Sequence, residues 1–317
     1  DAHLPSDGGP ALRARSGVRR PLGYRPPVRH RPGPPDRRGA DRACAVADIR
    51  GTGGDPVQVV EHETGRLLGT VDPAAAHSTV HRGAIYVHQG ESYLVRDLDL
   101  EDAAAVVERA QPDYSTTARD ITDIRIIEPL TTQTWQQVTL CFGSVEVSSQ
   151  VVSYLRKRLV TGEILGEEPL DLPPRRLRTR AVWWSVPEDV LVAAGIEFAD
   201  LPGAAHAAEH AAIGLLPLFA TCDRWDIGGV SKALHADTGA PTIFVYDGHP
   251  GGAGFAERGH ATATRWLRAT RDMISACTCL DGCPSCIQSP KCGNGNNPLH
   301  KAGAVRVLDV VVGAAPD

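Results

Sequence analysis

Five of the eight cysteines in this 317-residue sequence fall within sixteen residues, from Cys277 to Cys292. The run reads Cys277-Thr-Cys279-Leu-Asp-Gly-Cys283-Pro-Ser-Cys286, with Cys292 beyond it, a C-x-C-x3-C-x2-C-x5-C spacing. Two close pairs of thiolates can wrap one tetrahedral ion. Gly282 and Pro284 flank Cys283, and a tight turn there would aim backbone amides at the sulfurs, offsetting the charge that collects around a thiolate-bound metal. The pattern points to a structural zinc site held by Cys277, Cys279, Cys283 and Cys286, with Cys292 as substitute or neighbour. Two other readings stay open at this level. Four thiolates also hold an iron–sulfur cluster, and the cysteines could be reduced or disulfide-paired without any metal.

Other stretches carry candidate chemistry. His206 and His210 are four apart, with Glu209 between them, so on a helix they share a face. This H-x-x-E-H string matches an inverted zinc-peptidase pattern, in which both histidines bind zinc and the glutamate activates water. Such a site needs a third protein ligand, and no second motif supplies one; the surrounding alanines suit close helix packing instead. The glycine-rich stretch Asp247-Gly-His-Pro-Gly-Gly-Ala-Gly254 follows the apolar run Thr242–Tyr246. It reads either as an anion-binding turn, through free amides at a helix start, or as a tight strand-to-helix connection that needs glycine for positive φ. Two basic strips, Arg156-Lys157-Arg158 beside Tyr154 and Arg175 to Arg180 (with Arg178) beside Trp183 and Trp184, could contact single-stranded nucleic acid by charge and stacking. The alternative is a solvated strand face over a tryptophan core. Arg265, Arg268, Arg271 and Lys291 could offset the net charge of the metal site or reach phosphates.

These residues need elements to hold them. Residues 1–45 are rich in arginine and proline and lack apolar periodicity, which predicts a disordered tail, or sequence from outside the native frame of a truncated gene. From residue 46 to 186 short strands and turns alternate. Hairpins are expected at 57–71 and 84–98, further strands at 105–108, 121–127, 136–142, 145–159 and 176–186, and a β-rich, barrel-like module overall. Thr161-Gly-Glu-Ile-Leu-Gly166 echoes Thr64-Gly-Arg-Leu-Leu-Gly69, as a duplicated hairpin would. After Pro187 helices are expected at 188–194, 203–219, 255–274 and 302–312. The fold class is therefore α+β: a β-rich N-terminal module, then an α/β module over 187–317 with a four-cysteine zinc site. A net charge of −5 argues against bulk polycationic binding to nucleic acid. No stretch of eighteen apolar residues is present. No secretory signal is visible either, so a cytoplasmic, reducing location is expected, where clustered cysteines bind metal more often than they pair.

Four strings in order carry a family resemblance: His206-Ala-Ala-Glu-His-Ala-Ala-Ile-Gly-Leu-Leu-Pro217, Cys222-Asp-Arg-Trp-Asp-Ile-Gly-Gly229, Tyr246-Asp-Gly-His-Pro-Gly-Gly-Ala-Gly-Phe255 and Gly282-Cys-Pro-Ser-Cys-Ile-Gln-Ser-Pro-Lys-Cys-Gly-Asn-Gly-Asn296. Residues 204–312 closely resemble the C-terminal region of MrfA-like DEAD/DEAH-box DNA repair helicases, and the β-rich part resembles the segment that precedes it. The resemblance implies a zinc-binding accessory domain of an ATP-dependent 3′-to-5′ helicase. It implies two partners: DNA, single-stranded where it is touched, and helicase motor domains in cis or in trans. It also implies Cys277, Cys279, Cys283 and Cys286 as zinc ligands. In such proteins a motor and a winged helix precede this region. The sequence contains no Walker A loop and no DEAD or DEAH box, so no ATP hydrolysis by this chain alone is expected. The competing functions are a zinc-dependent hydrolase using His206, Glu209 and His210, and a stand-alone interaction module of a defence complex.

Overall fold

The computed structural model describes residues 55–316; the expected tail over 1–45 lies outside them. Strands β1 (Val57–Glu61) and β2 (Leu67–Val71) form the first hairpin. Helix α1 (Pro73–Thr79) follows, started by Pro73 and capped by Asp72, whose carboxylate accepts from the Ala74 amide at 2.6 Å. Strands β3 (Ile85–His88) and β4 (Glu91–Asp99) form the second expected hairpin. Strand β5 (Ala104–Arg109) then inserts parallel to β1 and antiparallel to β4, giving the order β2-β1-β5-β4-β3. Val57, Val59, Tyr93, Val95, Ala105 and Val107 form one core with Ala76 and Val80 at α1. That alternation is the two-residue period of a half-buried strand.

The second sheet is built on one long ribbon. Strands β6 (Tyr114–Trp135) and β7 (Val138–Arg158) pair along nearly their whole lengths of 22 and 21 residues. The separate strands expected at 121–127, 136–142 and 145–159 are therefore parts of this hairpin, whose turn falls at Gln136, with φ of 52°. Pro129 and Gly143, which look like strand breakers, face each other across a pair of register shifts. A proline is tolerated because β6 is an edge strand. The glycine is required because a Cβ there would stand 2.2 Å from the Glu128 carbonyl oxygen. Strand β8 (Ile164–Pro169) pairs with β7, and β9 (Arg175–Ser185) pairs with β7 further along. The order is β10-β11-β9-β7-β6, where β10 (Ile227–Lys232) and β11 (Thr242–Asp247) come from the C-terminal half.

Two expectations are corrected by this topology. The sheets are open, with edges, and not barrel-like. The boundary expected after residue 186 runs through a sheet, because β9 is hydrogen-bonded to β11 from Thr242 to Tyr246. The echo of Thr64–Gly69 in Thr161–Gly166 is a shared turn: Gly65 donates to Glu61 O and Gly162 to Arg158 O, both at 2.9 Å and both with positive φ. The two turns sit in different sheets with different neighbours, so local turn chemistry accounts for the likeness.

The C-terminal helices pack on the second sheet. They are α2 (Glu188–Ala193), α3 (Leu201–Leu215), α4 (Phe255–Ala261), α5 (Ala263–Ala276) and α6 (Lys301–Ala314). The single helix expected over 255–274 is broken at Thr262. Helix α3 is the centre of this layer. Its alanines at 204, 205, 207, 208, 211 and 212 are all buried, as expected where a helix packs against several neighbours. They let α6 approach so closely that a Cβ on Gly303 would stand 2.6 Å from the Ala204 Cβ. Adjacent residues of β9 serve opposite faces. Trp184 enters the core beneath the helices, while Trp183 stacks on Phe244 on the other face, ring centroids 5.7 Å apart.

Candidate metal centre

The chain leaves α5 at Cys277 and folds back on itself through a turn at Gly282, whose φ is +114°. A Cβ at Gly282 would lie 2.4 Å from Ile287 Cδ1, so the turn closes only with glycine. Cys286 and Ile287 are thereby buried in the main core, and Cys277, Cys279 and Cys283 pack on its rim. The four sulfurs converge. Sγ of Cys277 stands 3.6 Å from those of Cys279 and Cys283, and Cys286 Sγ stands 3.5 Å from Cys279 and 3.7 Å from Cys283. Metal–sulfur bonds of about 2.3 Å in a tetrahedron set sulfurs roughly 3.8 Å apart, so the donor set fits a tetrathiolate ion. The Cys283 amide points at Cys286 Sγ at 3.2 Å, the charge-offsetting contact expected from the Gly282–Pro284 turn.

Charge is managed by a residue that no local motif marks. Lys301, the first residue of α6, donates to the carbonyls of Cys277 and Cys279 at 2.6 Å each and to Cys279 Sγ at 3.4 Å. Burial works to raise the Cys279 thiol, but hydrogen bonds from Cys286, Cys277 and Lys301 together outweigh it and bring it down to about 7. Burial pushes Cys286 the other way, up to about 12. Four sulfurs this close cannot all be anionic without a cation among them, and a bound metal removes the last protons.

Cys292, expected as a substitute ligand, is not in this group. Its sulfur meets His206 and His210, and the ligand atoms of those three lie within 4.8 Å of one another. The two histidines do share a face of α3, with ring centroids 4.2 Å apart, and the third donor is a cysteine from the loop after the tetrathiolate. Glu209 is buried under β10, takes a hydrogen bond from Ser231, and is raised by burial to about 7 against that bond.

The glycine-rich turn carries its own anion. The Asp247 carboxylate, fully buried, accepts from the amides of Ala253 at 2.6 Å, Gly254 at 2.9 Å and Ala256 at 2.7 Å. Positive φ at Gly251, Gly252 and Gly254 turns the chain around it. The amides are thus satisfied from within, and the tight-connection reading holds. Replacing Asp247 by Asn puts an NH2 against amide donors and removes the charge; a loss of about 2 kcal/mol is expected, seen as a lower urea midpoint. An unchanged midpoint would show that the turn does not rely on this carboxylate.

The expected nucleic-acid residues separate into groups. Trp183 is only 2% exposed and Trp184 1%, so neither can stack on a base. Tyr154 packs on the His81 ring at 4.7 Å. Arg156 pairs with Glu168 at 3.1 Å, Arg158 with Asp113 and Glu163 at 3.1 and 3.2 Å, and Arg178 with Glu146 at 3.0 Å. Arg180 donates to the Ser144 hydroxyl. The Lys291 ammonium is turned inward onto the carbonyls of Arg224 at 3.1 Å and Ile227 at 2.7 Å, and burial lowers it to about 8. Of the cations set beside the cysteines, Arg271 is bound to Asp272 and Asp309, both at 2.6 Å. Arg268 is exposed and Lys157 half-buried. Trp225 carries no sequence signal of exposure, yet it is 66% exposed beside Lys291, whose Nζ stands 5.1 Å from the ring centroid.

The same region is shared with known proteins. The family model of the MrfA Zn-binding domain matches residues 208–287. The ATP-dependent helicase YprA of Bacillus subtilis is 33% identical over 227 residues, covering 70% of this chain and 29% of the helicase. A protein of Methanocaldococcus jannaschii is 40% identical over 109 residues, covering 33% of this chain and 96% of that protein. The crystal structure of the DUF1998 helicase MrfA bound to DNA superposes with a TM-score of 0.57 at 29% identity, over 83% of this chain and 35% of the helicase. The chain thus spans about a third of these helicases.

Proposed function

The chain belongs to the MrfA Zn-binding domain family, and from that premise we propose that it is the zinc-bearing accessory region of an ATP-dependent 3′-to-5′ DNA helicase that acts in repair. The observation that carries this reading is the superposition of 83% of the chain on part of a DNA-bound helicase. Cys277, Cys279, Cys283 and Cys286 would hold the ion, which supplies a closed structural knot with no open position for chemistry. A cytoplasmic, reducing compartment would keep the thiols available. The motor works in cis or in trans, and this region supports it and holds the DNA.

The DNA-contacting surface centres on Trp225. It shares a cavity of about 540 Å³ with Arg175 and Arg176, and an exposed aromatic ring beside cations is a platform for single-stranded bases. The arginines of the pairs on β7 and β9 are accessible to solvent, and such accessible pairs contribute little to stability, so phosphates can compete for those arginines. Trp225→Ala should weaken binding of the full chain to a fluorescent single-stranded oligonucleotide by about 1–3 kcal/mol and leave Tm unchanged, since the side chain is in solvent. Anisotropy at low and raised salt measures this. Absence of binding at low salt would sink the DNA role and favour an interaction module that does not touch DNA.

A further inference from the structure

We propose that His206, His210 and Cys292 form a second zinc site, separate from the tetrathiolate, with its fourth position open to a cavity. The tautomers of the two rings are fixed by the main chain. His206 Nδ1 lies 2.8 Å from the Pro298 carbonyl and His210 Nδ1 lies 2.9 Å from the Ile287 carbonyl. A carbonyl can only accept, so each Nδ1 carries the proton and each Nε2 keeps its lone pair. A main-chain carbonyl on the far ring nitrogen is the arrangement that orients metal-binding imidazoles.

Both lone pairs belong to one cluster with Cys292, whose sulfur is 3.5 Å from His206 Nε2. A thiol has one proton. It can donate that proton to only one of the two imidazole nitrogens. A cation satisfies all three at once. The sulfur also receives the Asn296 amide at 3.2 Å, a contact that favours the thiolate a metal requires. Two imidazoles and one thiolate form a mixed nitrogen–sulfur set suited to borderline-soft zinc.

This site is not a variant of the first. His206 and Cys292 both fall outside residues 208–287, the span of the family match. It joins the middle of α3 to the loop that follows Ile287, so the ion would pin residues 289–298 to the helix layer. The same three residues line a cavity of about 420 Å³ together with Asp120, Glu209 and Lys291. Three protein donors with space on the fourth side is the pattern of a zinc that takes water or a small anion.

The test counts metal. The purified full chain, equilibrated with zinc and freed of excess, should contain two zinc ions per chain by mass spectrometry, and Cys292→Ala or His206→Ala should contain one. Cobalt(II) loading reads the sites separately: the wild-type spectrum minus that of Cys292→Ala should show a tetrahedral cobalt signal with a single-thiolate charge-transfer band. One zinc in the wild-type chain overturns the proposal whatever the variants do. So do two zinc ions retained in Cys292→Ala, or a null cobalt difference spectrum.

Discussion

Stripping the proposed zinc from the four cysteines, by chelation or by Cys283→Ser, is expected to unfold the segment from Cys277 to Lys301 and to cost the C-terminal layer up to about 10 kcal/mol, the scale of structural zinc binding in small domains. The reason lies in what the knot buries. Cys286 and Ile287 are in the main core, yet the backbone that delivers them has little regular structure of its own between α5 and α6. Without the ion, four sulfurs within 3.7 Å of their neighbours repel as they ionise. Lys301 then loses the partner that fixes the start of α6. Limited proteolysis should show new cleavage between 277 and 301. The five-stranded sheet, which has its own core, should keep its protection. A metal-free chain with unchanged Tm and cleavage pattern would show that the cysteines close without a metal.

What can be read from the sequence depends on distance along the chain. The tetrathiolate is legible because its ligands lie within ten residues, where spacing alone constrains geometry. Cys292 falls into the wrong neighbourhood on spacing because its partner His206 is 86 residues away, and only the packing of α3 against the loop brings them together. The H-x-x-E-H string reads as one helical face, and it is one, but its third donor is a cysteine where the peptidase pattern asks for a glutamate. Lys301 escapes notice because a lysine at a helix start has no local signature of the carbonyls it will reach. The hairpins around Gly65 and Gly90 are legible from turn chemistry. The long ribbon is not, since Pro129 and Gly143 signal breaks when read singly and are bulges when read as a facing pair. The pair Trp183–Trp184 looks like one aromatic patch, whereas strand alternation sends its members into two cores.

Trp266→Ala should be the most damaging single replacement outside the proposed metal sites, at about 4–5 kcal/mol. Trp266 is fully buried on α5, the helix that ends at Cys277. Its ring meets Trp184 of β9 edge-on, centroids 5.8 Å apart at 89°, a geometry worth about 1 kcal/mol beyond area. Its indole N–H donates to the Ala212 carbonyl of α3 at 3.0 Å. One side chain therefore ties the sheet, the central helix and the helix carrying the cysteines, and alanine would open a cavity where all three meet. Trp266→Phe separates the contributions: it keeps most of the ring and loses only the indole bond, about 1 kcal/mol plus some packing. Because α5 positions Cys277, Trp266→Ala should also speed loss of the proposed tetrathiolate zinc to a colorimetric chelator, while Trp266→Phe should not. Faster release without loss of stability, or loss of stability with unchanged release, would mean that the helix layer and the metal knot are not coupled through this residue.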